Sequence, residues 1–260
     1  MTARPSLAQL AADLATGRTT SRALVEEALS RIADPAGEGS RVFVKVYADA
    51  ARMAADAQDR LRRAGYVAST LAGIPVSIKD LFDVAGEVTL AGSRALDDTP
   101  AATADAPIVA RLKAAGAVII GRTNMTEFAF SGVGINPHYG TPGNPYDRSL
   151  IPGGSSAGAP VSVAGGMAAV AIGTDTGGVG SYTGGAVRAR RVQADPVPGA
   201  ARRRHTAFDH LGLDRPDRRQ RRLLRIDRRG HGRRAASGAR CEFTRWASPR
   251  HSADGDARRS

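Results

Sequence analysis

Apolar residues near the start of the chain recur at helical spacing. Leu7, Leu10 and Leu14 fall on one face, and "TTSRALVEEALSRI" offers Thr20 or Ser21 as N-cap before Leu24, Val25, Ala28, Leu29 and Ile32. Two helices are therefore predicted within residues 6–32. "FVKVYA" (43–48) predicts a short strand, and "ADAARMAADAQDRLRRAG" a helix stopped by Gly65. "GIPVSIKD" (73–80) is apolar enough for a buried strand that ends near Lys79. "DAPIVARLKAAGA" gives an amphipathic helix and "VIIGRTN" the strand after it. "SSAGAPVSVAGGMAAVAIG" predicts a serine-capped helix, interrupted by Pro160, and then a strand ending near Gly173. Strands alternating with helices predict an α/β fold with crossover connections.

Two stretches break this rhythm. Residues 131–154, "SGVGINPHYGTPGNPYDRSLIPGG", are rich in Gly, Pro, Asn and Ser and predict a long irregular loop, the kind of loop that carries function in compact domains. Beyond residue 178 no helical or strand period is sustained, apart from a short turn at 219–226. Apolar residues there are too sparse to bury a core, so a disordered tail is expected.

Charge marks the same boundary. The whole chain of 260 residues carries a net +12, which by itself points to a polyanionic partner. Residues 1–178, however, hold 16 Lys and Arg against 17 Asp and Glu, whereas residues 179–260 hold 21 Arg, no Lys and 8 acidic residues. Two compositions meet at the boundary, giving segments 1–178 and 179–260. The single cysteine, Cys241, excludes an intrachain disulfide and a multi-cysteine zinc site, and has no assigned role. Neither a signal peptide nor a run of about 18 apolar residues is present, so a cytoplasmic chain outside the membrane is expected.

Three segments carry candidate chemistry, and each has a plain structural explanation too. Lys79 at a strand end can reach water along its aliphatic stem; desolvated, it can serve as a base. "GGSSAG" (153–158) can simply cap a helix, or use its glycines for close backbone approach and present a serine hydroxyl at the helix start. "GTDTGG" (173–178) can be an ordinary glycine turn, or aim successive N–H groups at an oxyanion. A phosphate loop is less suited, because the Gly-Lys-Ser/Thr ending is absent.

Taken in order, "GIPVSIKD", "GRTNMTEFAF", "NPHYGTPGNPYD" and "PGGSSAGAPVSVAGGMAAVAIGTDTGG" resemble the amidase signature family of serine hydrolases, over essentially all of residues 1–178. The resemblance implies a mixed central β-sheet flanked by helices, incomplete here, and amide cleavage by a Ser–Ser–Lys triad without metal or cofactor. It implies that Lys79 is the base and that Ser155 is the bridging serine, after a cis Gly154–Ser155 peptide. Ser156 supports it with a hydrogen bond. Thr176, Gly177 and Gly178 form the oxyanion segment, and Asp175 braces the turn. His138 and Tyr139 in the long loop are weaker candidates for a substrate entrance.

The family's nucleophile is the serine directly after this turn, and here that residue is Val179, which has no heteroatom to attack a carbonyl. Ser181, two residues on, cannot take its place without a redrawn turn. Codon arithmetic suggests an origin. When codons permitted for Val179 to Pro196 are read one nucleotide later, S-V-R-I-P-A-A-L-C-G-L-V-G-F-K-P-T is allowed, which resembles the family's continuation and begins with the missing serine. An Arg-rich, Lys-free tail is also what an out-of-frame GC-rich gene yields. The expectation is a truncated, frameshifted amidase, inactive as written, whose ancestral substrate is a small carboxamide. Two alternatives stand beside it. One is the amidase-like component of a tRNA-dependent (Asn/Gln) amidotransferase, its A subunit. The other is a basic nucleic-acid-binding protein, with non-specific adhesion through the tail. A non-catalytic carboxamide binder at Lys79 and Ser155 is a further option, but it needs the rest of the pocket.

Overall fold

The computed structural model describes residues 4–175, together with the backbone of 190–193 and 204–209. Helices α1 (Leu7–Ala15), α2 (Ser21–Ala33) and α3 (Gly39–Val42) precede strand β1 (Phe43–Val46). Then follow α4 (Ala48–Arg63), β2 (Pro75–Lys79), α5 (Pro107–Ala114), β3 (Val118–Thr123), α6 (Gly158–Ala164) and β4 (Val170–Asp175). A short 3-10 turn (Glu127–Ala129) lies between β3 and α6, and two backbone strands, β5 (Arg190–Gln193) and β6 (Arg204–Asp209), complete the described elements.

Local signals set some boundaries. Thr20 caps α2, its side chain accepting from the Ala23 N–H. Gly65 ends α4 at φ +84°, with Gly65 N–H bonded to Arg62 O and Tyr66 N–H to Leu61 O, the paired bonds of a left-handed helix stop. The expected serine cap on α6 is not formed. Ala157 occupies the N-cap and no side chain caps the helix. Ser155 and Ser156 lie just ahead of it, where their hydroxyls bond Lys79 and Thr174 instead.

The strands form one mixed sheet in the order β1-β3-β2-β4-β6-β5. β2 runs parallel to both β3 and β4, β1 runs antiparallel to β3, and β4, β6 and β5 are antiparallel neighbours. The sequence pattern predicts no strand beyond 178, so β5 and β6 depart from it. Ladder bonds need only backbone groups, and the open side of β4 offers them whatever side chains follow.

Side-chain alternation divides the core between the two faces of the sheet. Val76 and Ile78 of β2 and Val170 and Ile172 of β4 pack with α1 and α5. Val118 and Ile120 of β3 pack on the other face with α2, α4 and α6. Full burial of a side chain such as Ile78 contributes about 1.5–3 kcal/mol. The intervening β2 residues, Ser77 and Lys79, fall on the α6 side, where Ser77 Oγ lies 2.9 Å from Ser162 Oγ. This alternation carries Lys79 to the residues ahead of α6.

Candidate active site

Lys79 is wholly buried at the end of β2. Its Nζ donates to Ser155 Oγ at 2.8 Å and to Thr174 Oγ1 at 2.8 Å. The serine comes from the segment before α6 and the threonine from β4, so three elements converge on one amine. Parallel pairing of β2 with β4, with Ile78 opposite Ile172, brings these strand ends together. The Gly154–Ser155 peptide bond is cis.

Ser156 is buried behind this group. Its Oγ accepts from Thr174 N–H at 3.2 Å and donates to Thr174 O at 3.3 Å, which ties the pre-helix segment to β4. Ser155 is less enclosed and partly exposed, and its carbonyl accepts from Thr126 N–H. Asp175 ends β4. Thr176, Gly177, Gly178, Val179, Ser181 and Cys241 lie outside the described residues.

Asp80, Arg122 and Glu127 carry no role in the sequence-based expectations, whereas His138 and Tyr139 are candidates for a substrate entrance. Asp80 follows Lys79 and is fully buried, with its carboxylate 2.7 Å from Arg122 Nε. The contact is a close ion pair whose N–H is not aligned as a hydrogen bond. Gly92 N–H donates to the other carboxylate oxygen, while the Arg122 Nη atoms donate to Phe82 O, Val88 O and Glu87. Burial pushes the Asp80 carboxyl above its ordinary range, against the pull of the Arg122 charge. A sequence signal existed: an arginine within the buried strand β3 and an aspartate directly after the buried strand β2.

A second group connects Ser93 and Glu127 to His138 of the long loop. Glu127 Oε1 accepts from Ser93 Oγ at 2.6 Å and sits 2.8 Å from His138 Nε2, and these contacts hold its carboxyl below the ordinary range. The Asn136 carbonyl oxygen accepts from the His138 and Tyr139 N–H groups, and its amide donates to Gly92 O and Met125 O. Phe128 and Ala129 adopt φ of 52° and 57°, left-handed values that bulky residues rarely hold without a local reason. Phe128 N–H bonds Ala91 O, and Thr126, two residues earlier, holds Ser155. Residues 126–128 thus join the Asp80 turn, through Ala91, to the serine segment. Among the described residues, no cluster of three His, Cys, Asp or Glu is arranged to hold a metal.

A mixed sheet covered by helices on both faces, with a buried lysine bonded to a serine ahead of a helix, defines a mixed α/β fold. Residues 23–180 match the family described as Amidase. The chain belongs to the amidase family.

It is 46% identical over 154 residues to AtzE, a component of the 1-carboxybiuret hydrolase of Pseudomonas sp. (strain ADP), covering 59% of this chain and 34% of that protein. It is 43% identical over 162 residues to the A subunit of the glutamyl-tRNA(Gln) amidotransferase of Chromohalobacter salexigens, covering 62% and 33%. Among solved structures it is similar to the native peptide amidase from Stenotrophomonas maltophilia, with TM-score 0.62, 40% identity and coverage of 68% of this chain and 37% of that one. It is also similar to a bacterial aryl acylamidase of the amidase signature enzymes, with TM-score 0.66, 29% identity and coverage of 79% and 45%. The chain spans about a third of the length of the curated relatives it matches.

Proposed function

We propose that residues 1–178 carry the proton-relay half of an amide-hydrolysing centre, and that the chain lacks the nucleophile this relay would serve. The observation that carries this is the 2.8 Å contact from buried Lys79 Nζ to Ser155 Oγ. When neutral, the same amine accepts the Ser155 proton across that distance, and Ser155 passes on a proton from a hydroxyl at position 179. Thr176, Gly177 and Gly178 are assigned to oxyanion stabilisation, and Asp175 to bracing the turn. Position 179 should supply the attacking oxygen, and a valine there supplies none. Residues 179–260 are read as an out-of-frame continuation, and the location as cytoplasmic. The proposed substrate class is a small carboxamide, cleaved to a carboxylate and ammonia or an amine.

The test compares the chain with a version in which the reading frame is restored from codon 179. Simple aliphatic and aryl amides are supplied, and released ammonia or amine is measured. The chain itself should show no turnover, and the restored one should turn over and lose that turnover on Lys79→Met. Sustained amide hydrolysis by the unrestored chain overturns the proposal.

The similarity to the amidotransferase of Chromohalobacter salexigens supports a second reading, in which the same amide chemistry delivers ammonia to a partner protein. Co-purification of such partners with the restored chain distinguishes it from a stand-alone amidase.

A further inference from the structure

The proposed relay ends on a hydroxyl. Ser155 receives a hydrogen bond from Lys79 at 2.8 Å, and the residue that should stand beyond it is a valine. The neighbouring serines are differently placed. Ser156 is buried, with its hydroxyl committed to both backbone groups of Thr174. Ser77 and Ser162 are fully buried against each other between β2 and α6. Ser93 is fully buried and donates to Glu127. Ser155 combines contact with a buried lysine and partial exposure.

A serine hydroxyl paired with a lysine amine is a sufficient nucleophile–base unit in other hydrolases. We infer that in this chain Ser155 is itself the nucleophile, activated by Lys79, and that it reacts with activated carboxylic esters whose leaving group is a phenolate. The inference rests on the assignment of Lys79 as a base made above.

The step is balanced within the site and substrate. Ser155 Oγ bonds the ester carbon while its proton passes to Lys79 Nζ. The C–O bond to the phenol breaks, and the departing oxygen takes that proton. Water then attacks the acyl carbon, giving a proton to Lys79, and the Oγ–C bond breaks with that proton returning to Oγ. A phenolate needs less protonation to leave than an amine does, which separates this activity from amide hydrolysis.

The test treats the full chain with an alkyl fluorophosphonate, which traps a nucleophilic serine by forming a P–O bond and expelling fluoride. Intact mass and peptide mapping then locate the adduct. A single adduct on Ser155 is expected, absent in Ser155→Ala and slowed roughly 100-fold or more in Lys79→Met. Lys79→Arg keeps the charge but cannot act as a base, so it should lose labelling equally and serves if the methionine variant does not fold. Mapping of the unsubstituted chain needs no variant at all.

No adduct on Ser155, with the frame-restored chain labelled at position 179 in a Lys79-dependent way, overturns the inference and leaves the base assignment standing. No adduct in either chain overturns both. An adduct on Ser155 that is indifferent to both lysine substitutions overturns the inference as well.

Discussion

Arg122 Nε lies 2.7 Å from Asp80 Oδ1, with both side chains almost completely removed from water. The pair therefore anchors the residue that directly follows Lys79, and through Gly92 N–H and the Phe82 and Val88 carbonyls it also gathers the loop beyond β2. Removing one partner leaves an uncompensated buried charge, which costs about 3–5 kcal/mol. Arg122→Met should lower the unfolding free energy by that amount in urea titration. The double variant Asp80→Asn/Arg122→Met should be less destabilised than the sum of its single changes. Additive losses would show that the two side chains do not act as a pair.

Thr174 should matter through its hydroxyl. Thr174→Val keeps the shape of the β4 side chain but withdraws one acceptor from the Lys79 amine. A loss of about 1–3 kcal/mol is expected in thermal or chemical unfolding. Ser149→Ala, in the exposed loop where Ser149 bonds Asp147, should stay within about 0.5 kcal/mol of the parent.

Gly154 is held against the Gly134 backbone and the Thr126 side chain. A Cβ there would stand 2.6 Å from Gly134 N and 2.8 Å from Thr126 Oγ1. Gly154→Ala should therefore destabilise by about 1–3 kcal/mol. It should also displace Ser155 from Lys79, slowing serine labelling more than the stability loss alone explains. Unchanged labelling and stability would mean the segment has room that the geometry does not show.

Glu127 predicts a pH dependence. Its carboxyl is held below the ordinary range by the Ser93 hydroxyl and then by His138. A folded-state value below the unfolded one stabilises the fold above the ordinary carboxylate range, and this contribution is lost as pH falls towards the folded value. Between about pH 6 and about pH 3 the parent chain should lose more stability than Glu127→Gln does. Equal losses in the two proteins would remove Glu127 from the acid response.

Much of this architecture is legible in the residues. Thr20, Gly65 and the alternation through Val76 and Ile78 state their roles locally, because caps, left-handed stops and period-two burial are short-range effects. The meeting of Lys79 with Ser155 is not local. It depends on α6 packing against β2, where Ser77 meets Ser162, which spacing along the chain does not encode, so the sequence points to it only through family resemblance. The serine cap on α6 is misleading in the sequence because Ser155 and Ser156 have the chemistry of cap residues, but their hydroxyls face Lys79 and Thr174. Strands β5 and β6 lack apolar alternation and are read only from backbone pairing. The Asp80–Arg122 pair is half visible, as charges in and directly after buried strands, but nothing in the order of residues says that they meet.

Position 179 decides whether the relay has lost its nucleophile to a shifted frame. The direct measurement is the nucleotide sequence across codons 176–196. Read one base later from codon 179, it should encode S-V-R-I-P-A-A-L-C-G-L-V-G-F-K-P-T, restoring a serine behind Gly178 and an amidase-like continuation. A shifted frame that encodes unrelated residues would contradict the account and make Val179 a native feature of the chain.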